Sequence, residues 1–208
     1  MAVLSVDTFK SRLVGGGARP NLFEVKLTFP ESLGITKPNG EKTSLMVKGA
    51  SLPASTIAPI PVPFRGRVLQ VAGDRTFDPW TVTIINDTDF EIRNAMEQWM
   101  NGMNSHAQNT GEVNPNDYQA DLEVDQLDKN ETSIKGYKFV GCFPSAVSEI
   151  DLQYDTNDTI EEFTVEFQVQ YWTRIPHLNS SLNKGDFFRG VSFYFIRNIL
   201  WQKKILAV

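Results

Sequence analysis

The stretch FTVEFQVQYW, Phe163 to Trp172, alternates apolar and polar side chains with a period of two. Phe163, Val165, Phe167, Val169 and Tyr171 point one way, and Thr164, Glu166, Gln168, Gln170 and Trp172 point the other. This is the pattern of a β-strand with one face on a core. Such a strand needs hydrogen-bonded neighbours and a second apolar layer, so it commits the chain to a sheet. Its polar face carries one acid and two amides but no Lys or Arg, whereas an ordinary solvated surface mixes both signs of charge.

The neighbours are legible on both sides. NLFEVKLTF alternates Phe23, Val25, Leu27 and Phe29 against Glu24, Lys26 and Thr28, which predicts another strand. Before it, Val6, Phe9 and Leu13 share one side of a short helix that the glycines 15–17 end. Residues 30–64 contain Pro30, Pro38, Pro53, Pro59, Pro61 and Pro63, which exclude a central strand and suit an edge or a projecting arm. Asn39-Gly40 predicts a tight turn, with EKTSLMVKGASLPAST beyond it as extended chain. PFRGRVLQVAG and WTVTIIND predict the next two strands, joined by DRTFDP.

Thr88 and Glu91 have the spacing of a capping box, and Ile92, Ala95, Met96, Trp99, Met100 and Met103 follow at helical spacing. This predicts a helix from Thr88 to about Met103 that buries Ile92, Met96, Trp99 and Met103. DYQADLEVDQLD puts Asp121, Glu123 and Asp125 on one strand face and Ala120, Leu122 and Val124 on the other. SIKGYKFVGCF is expected to stop at Pro144, with AVSEIDLQY as a further strand before a DTND turn. The sum is a mainly β chain, an antiparallel β-barrel or sandwich of about seven strands with one flanking α-helix.

The 208 residues suffice for one sizeable domain or a domain with an appendage. No uncharged apolar run reaches the roughly 18 residues a membrane helix needs, and the start MAVLSVDTFKSRL reads as no signal peptide. A single cysteine, Cys142, permits no internal disulfide and fits a reducing compartment. Charge is uneven. Residues 112–173 hold 3 Lys and Arg against 14 Asp and Glu, while residues 174–208 hold 6 against 1. So acidic a body lacks the cations that nucleic-acid affinity rests on.

Chemistry is sparse. His106 and His177 have no second ligand at metal spacing, and Cys142 reads as a small buried thiol. GGGARP lacks the lysine and following helix of a phosphate cradle. Asp121, Glu123 and Asp125 are splayed along a strand, without the bent loop that calcium needs. Arg65, Arg67 and Arg75 are too few for a nucleic-acid footprint and suit salt bridges between subunits. No paired nucleophile and base is found, which predicts that the chain is not an enzyme.

Five stretches taken together carry a resemblance: SRLVGGGARPNLFEV, GASLPASTIAPIPVPFRGR, AGDRTFDPWTVTIINDTDFEIRNAMEQWMN, FVGCFPSAVSEIDLQYDTNDTIEEFTVEF and the YW after it. Over about residues 5–173 the chain resembles the tail tube protein family of contractile-tailed bacteriophages. The resemblance implies a tube-forming barrel whose homohexameric rings stack inside a contractile sheath. Implied partners are the chain itself, the tail sheath protein, the baseplate and the tail terminator, with no cofactor and no membrane. DNA would pass through the lumen without specific binding. The implied location is the virion tail, and the host cytoplasm during assembly. A tube-like baseplate initiator or terminator, or the inner tube of a contractile injection system, fits the same resemblance. A small-ligand β-barrel is the alternative of another class.

A lumen that carries DNA should repel phosphate. Asp121, Glu123, Asp125, Glu166, Gln168 and Gln170 are therefore candidate lumen-facing residues. The arm over residues 40–64 is expected to reach the next ring, with Asn39, Gly40, Leu45, Val47, Leu52, Arg65 and Arg67 as candidate inter-subunit residues. The tube domain is expected over residues 1–173. Residues 174–208 lie beyond the resemblance, basic and rich in aromatics, as an extension of unassigned role.

Overall fold

A computed structural model describes residues 5–13 and 17–176. Nearly all of the expected C-terminal extension and two of the three glycines that were to end the first helix lie outside the described residues. In chain order the elements are α1 (Val6–Arg12), β1 (Phe23–Lys26), α2 (Gly40–Met46), β2 (Val47–Ala50), β3 (Ser55–Phe64), β4 (Arg67–Phe77) and β5 (Trp80–Ile85). Then come α3 (Glu91–Met103), α4 (Pro115–Tyr118), β6 (Ala120–Leu127), β7 (Ser133–Val147), β8 (Glu162–Gln168) and β9 (Tyr171–Ile175). Seven strands form one antiparallel system in the order β1-β6-β7-β8-β5-β2, with β9 also on β7, and β3-β4 form a separate hairpin. The mainly β antiparallel fold with one main flanking helix is as expected.

The long strand β7 joins two layers. Its first part pairs with β6 and β9, and its last residues, Phe143 to Val147, pair with β8. The register slips between Phe139 and Cys142, the partners of Leu122 and Ala120, and again between Pro144 and Ala146. Bulges of this kind bend a strand and let it change sheets. Gly141 sits at the first with φ +65°, where an added Cβ would stand 2.8 Å from Gln170 Cγ. Pro144 therefore does not stop β7, because the bulge accommodates the missing N–H. AVSEIDLQY is not a strand either: past Val147 it becomes the loop to β8.

The core between the layers is aromatic. Trp80 stacks on Phe139 at 4.2 Å between centroids, and Phe167 lies 5.9 Å from Trp80 and 6.2 Å from Trp99. Around these rings pack Val25, Leu122 and Val124 from one layer and Val82, Ile84, Phe163 and Val165 from the other. Helix α3 adds Ile92, Ala95, Met96 and Trp99, with Met103 partly buried at its end. Its start differs from expectation. Phe90, in the left-handed region at φ 52°, is the N-cap, with no side-chain cap. Thr88 instead turns its amide to Asp87 Oδ1 at 2.8 Å, so the capping box does not form.

Three further expectations change. Leu27 and Phe29 are buried as predicted but lie beyond the end of β1. Asn39-Gly40 is no hairpin turn: Asn39 Oδ1 accepts from the Glu41 amide at 3.1 Å and caps α2. The stretch read as extended chain thus begins as helix, over Glu41 to Met46. The opening stretch is also broken, because β8 ends at Gln168 and β9 begins at Tyr171. Across that break the faces exchange: Tyr171 is exposed, while Trp172 packs edge-on against Tyr137 and Phe77.

Candidate functional site

The hairpin supplies the least ordinary surface. Arg65 and Gly66 both have positive φ, 44° and 82°, and connect the paired residues Phe64 and Arg67. That is a two-residue primed turn, whose twist matches the strands it joins. Read as one strand from sequence, PFRGRVLQVAG is in fact the distal half of a hairpin. Pro59, Pro61 and Pro63 sit at alternate positions of β3, opposite Ala72, Gln70 and Val68. Their common parity, odd to the closing pair, sends the missing N–H groups to the outer edge, so the ladder to β4 stays intact. Almost nothing on this hairpin is buried. Phe64 is 67% exposed and Leu69 62%, with Ile57, Ile60, Val62, Val68 and Val71 also open to solvent. Trp172 holds its base, the indole Nε1 donating to the Ala54 carbonyl at 3.1 Å.

The two layers present outer faces of different chemistry. On the β1-β6-β7 layer, Lys26 reaches Asp125 at 3.5 Å and Glu123 at 3.9 Å, and Lys138 reaches Asp121 at 2.9 Å. The Asp121 hydrogen bond holds the Lys138 ammonium above its ordinary pKa. Asp121 also accepts from the Gly141 amide at 3.1 Å. Asp125 is buried and accepts from the Ser133 hydroxyl at 3.0 Å. The row of three acids is therefore a row of cross-strand ion pairs, and Asp125 is corrected from a lumen candidate to a buried bridge. On the β5-β8 layer, Thr81 lies opposite Glu166 and Thr83 opposite Thr164. Gln168 extends that face and donates from Nε2 to Ser145 Oγ at 3.5 Å. Its one lysine, Lys48, lies at the margin and is bonded to Glu162. Gln170 is exposed in the break between β8 and β9, apart from Glu166 and Gln168.

The inter-subunit candidates separate as well. Arg65 and Arg67 flank the hairpin tip, and the Arg65 guanidinium lies 5.4 Å from the Phe64 ring centre. Leu45 and Leu52 are exposed, and Asn39 and Gly40 start α2. Val47 begins β2, and at 7% exposed its side chain packs in the subunit's own core. Sequence reasoning passed over Val62, Phe64, Val68, Leu69 and Val71. A continuous apolar run with prolines at every second position was the signal available for them.

Among the described residues, no group of three or more His, Cys, Asp or Glu side chains is placed to hold a metal ion. Burial, reinforced by Asp121, pushes the Cys142 thiol up to about 12. The interior that a ligand barrel would leave open is filled by Trp80, Trp99, Phe139 and Phe167.

Residues 18–175 match the phage tail tube protein family. The chain is 33% identical over 159 residues to the tail tube protein gp19 of Enterobacteria phage T4, covering 76% of this chain and 92% of that protein. It is 26% identical over 166 residues to the tail tube protein of Serratia phage KSP90, covering 79% and 93%. A cryo-EM sheath-tube complex of an extracellular contractile injection system contains a chain of the same fold. That chain aligns at TM-score 0.53 and 13% identity, over 83% of this chain and 99% of its own length. With the match spanning both sheet layers, the hairpin and α3, this chain belongs to the phage tail tube protein family.

Proposed function

We propose that the chain is the repeating subunit of a tail tube, assembling as stacked hexameric rings inside a contractile sheath and conducting DNA. The observation that carries this is the hairpin. Apolar side chains on both of its faces are solvated in a single subunit, a surface that soluble monomers seldom present at such size. Association covers it. The outer edge of β3 lacks three N–H donors, so the hairpin engages its neighbour through side chains and not by adding a strand there.

The open edge of β2, beside β5 and β8, suits pairing with the next subunit around the ring. The β5-β8 face then lines the lumen. Thr81, Thr83, Thr164, Glu166 and Gln168 offer hydroxyls, an amide and an acid, and the lysine at the margin, Lys48, is paired with Glu162. The opposite layer, with Lys26 and Lys138 half exposed, faces outward. The role is structural, with no catalytic step. The sheath, baseplate and tail terminator are the proposed partners, and assembly takes place in the host cytoplasm before the tube enters the virion.

Sedimentation of the purified full chain across a concentration series, with electron microscopy of the fractions, tests this. The expected result is concentration-dependent rings and tubes. A monomer persisting at high concentration, in low and moderate salt alike, refutes it.

A further inference from the structure

We infer that the hairpin tip of one subunit docks on the acidic loop between β7 and β8, residues 149–161, of a second copy of this chain. This rests on the tube-subunit reading and names the surface that receives the hairpin. The loop contains Glu149, Asp151, Asp155, Asp158 and Glu161 and no Lys or Arg. Among the described residues, only Glu161 of these has a side-chain partner, Asn86 Nδ2 at 2.9 Å. Between the acids stand Leu152, Tyr154 and Ile160, exposed to 80%, 105% and 72%. They border an open groove of about 610 Å³.

The hairpin tip has the same two ingredients with the opposite sign. Phe64, Val68 and Leu69 are exposed beside Arg65 and Arg67, and no acid occurs between Ser55 and Gly73. At a strand rise of about 3.3 Å per residue the tip lies roughly 30 Å from the hairpin base. It is solvated within its own subunit, so its receiver belongs to another. Opposite charges around matched apolar patches set register and speed encounter, while the buried rings supply most of the holding energy.

The test uses the full chain. R65E/R67E and D151K/D155K/D158K should each lower tube mass at least ten-fold with circular dichroism unchanged, and the combined charge-swapped variant should recover most of it. Independently, Phe64→Cys with Tyr154→Cys should be joined between subunits by a short bismaleimide, while either single variant is not, Cys142 being buried. Wild-type tubes that tolerate both reversals, or a combined variant no better than its parents together with no cross-link, overturn the docking alone. A wild-type chain that forms no tubes overturns the tube reading and the docking with it. Tubes lost on loop reversal, kept on tip reversal and showing no cross-link place a different basic partner on the loop, against the inference.

Discussion

Trp99 sits where α3, β8 and the chain after β1 meet. It is fully buried, 5.7 Å from Phe29 and 6.2 Å from Phe167, and its Nε1 donates to the Tyr118 carbonyl at 2.7 Å. Trp99→Ala should destabilise the fold by about 3–5 kcal/mol in urea titrations, as large core aromatics do. A loss under about 1 kcal/mol would mean that the ring is not packed as described. Cys142 allows a second measurement at this scale. With its thiol at about 12 in the fold and an ordinary value near 9 when unfolded, the folded chain binds the proton more tightly. Its contribution is therefore full below about 9 and is lost as pH rises toward 12. Alkylation at pH 8 should wait on unfolding, and rapid native labelling would contradict its burial. Residue identities such as Trp99 were legible because helical spacing marks a buried stripe. The exchange of Tyr171 and Trp172 was not. Alternation tells which residues share a face only while one strand continues, and the break at residues 169–170 leaves no mark in polarity.

Among the elements, the hairpin concentrates the functional argument. Replacing residues 56–76 by a short glycine-containing turn should leave the body folded by circular dichroism and abolish tube growth, because none of the core residues lies in that span. Full-length tubes from this variant would remove the hairpin from assembly. The boundaries matter here. An excision over residues 42–60 would also remove Lys42, whose hydrogen bonds to Asp87 and Glu91 tie α2 to the start of α3 and hold its ammonium above the ordinary value. Prolines at every second position announced an edge strand. The turn was harder to place. Asn-Gly is the stronger hairpin signal in isolation, yet here its Asn caps a helix while Arg65-Gly66 makes the turn. Both outcomes satisfy the local backbone, and tertiary packing decides between them. The crossing of β7 past Pro144 was hidden for a like reason, since a bulge cancels the usual meaning of proline in a strand.

At the scale of the whole molecule, the acids first grouped by their spacing divide into two chemistries that only the fold reveals. Those of β6 are occupied by Lys26, from a strand distant in sequence, and by Lys138 of the adjoining β7. Glu166 and Gln168 remain on a face of hydroxyls and amides. If that face lines the channel, every subunit repeats its charge around the ring. E166K/Q168K should still assemble, since both side chains point away from the core, but its tubes should retain DNA at low salt and release it as salt rises. DNA passage unchanged at low salt would put this face outside. The most direct measurement is a cryo-EM reconstruction of tubes grown from the purified full chain, at a resolution that shows strand identity. The expected map has six subunits per ring, with Thr81, Thr83, Thr164, Glu166 and Gln168 facing the channel and the hairpin spanning to the adjacent ring. A channel lined by Lys26, Glu123 and Lys138, or a hairpin left in solvent, would contradict it.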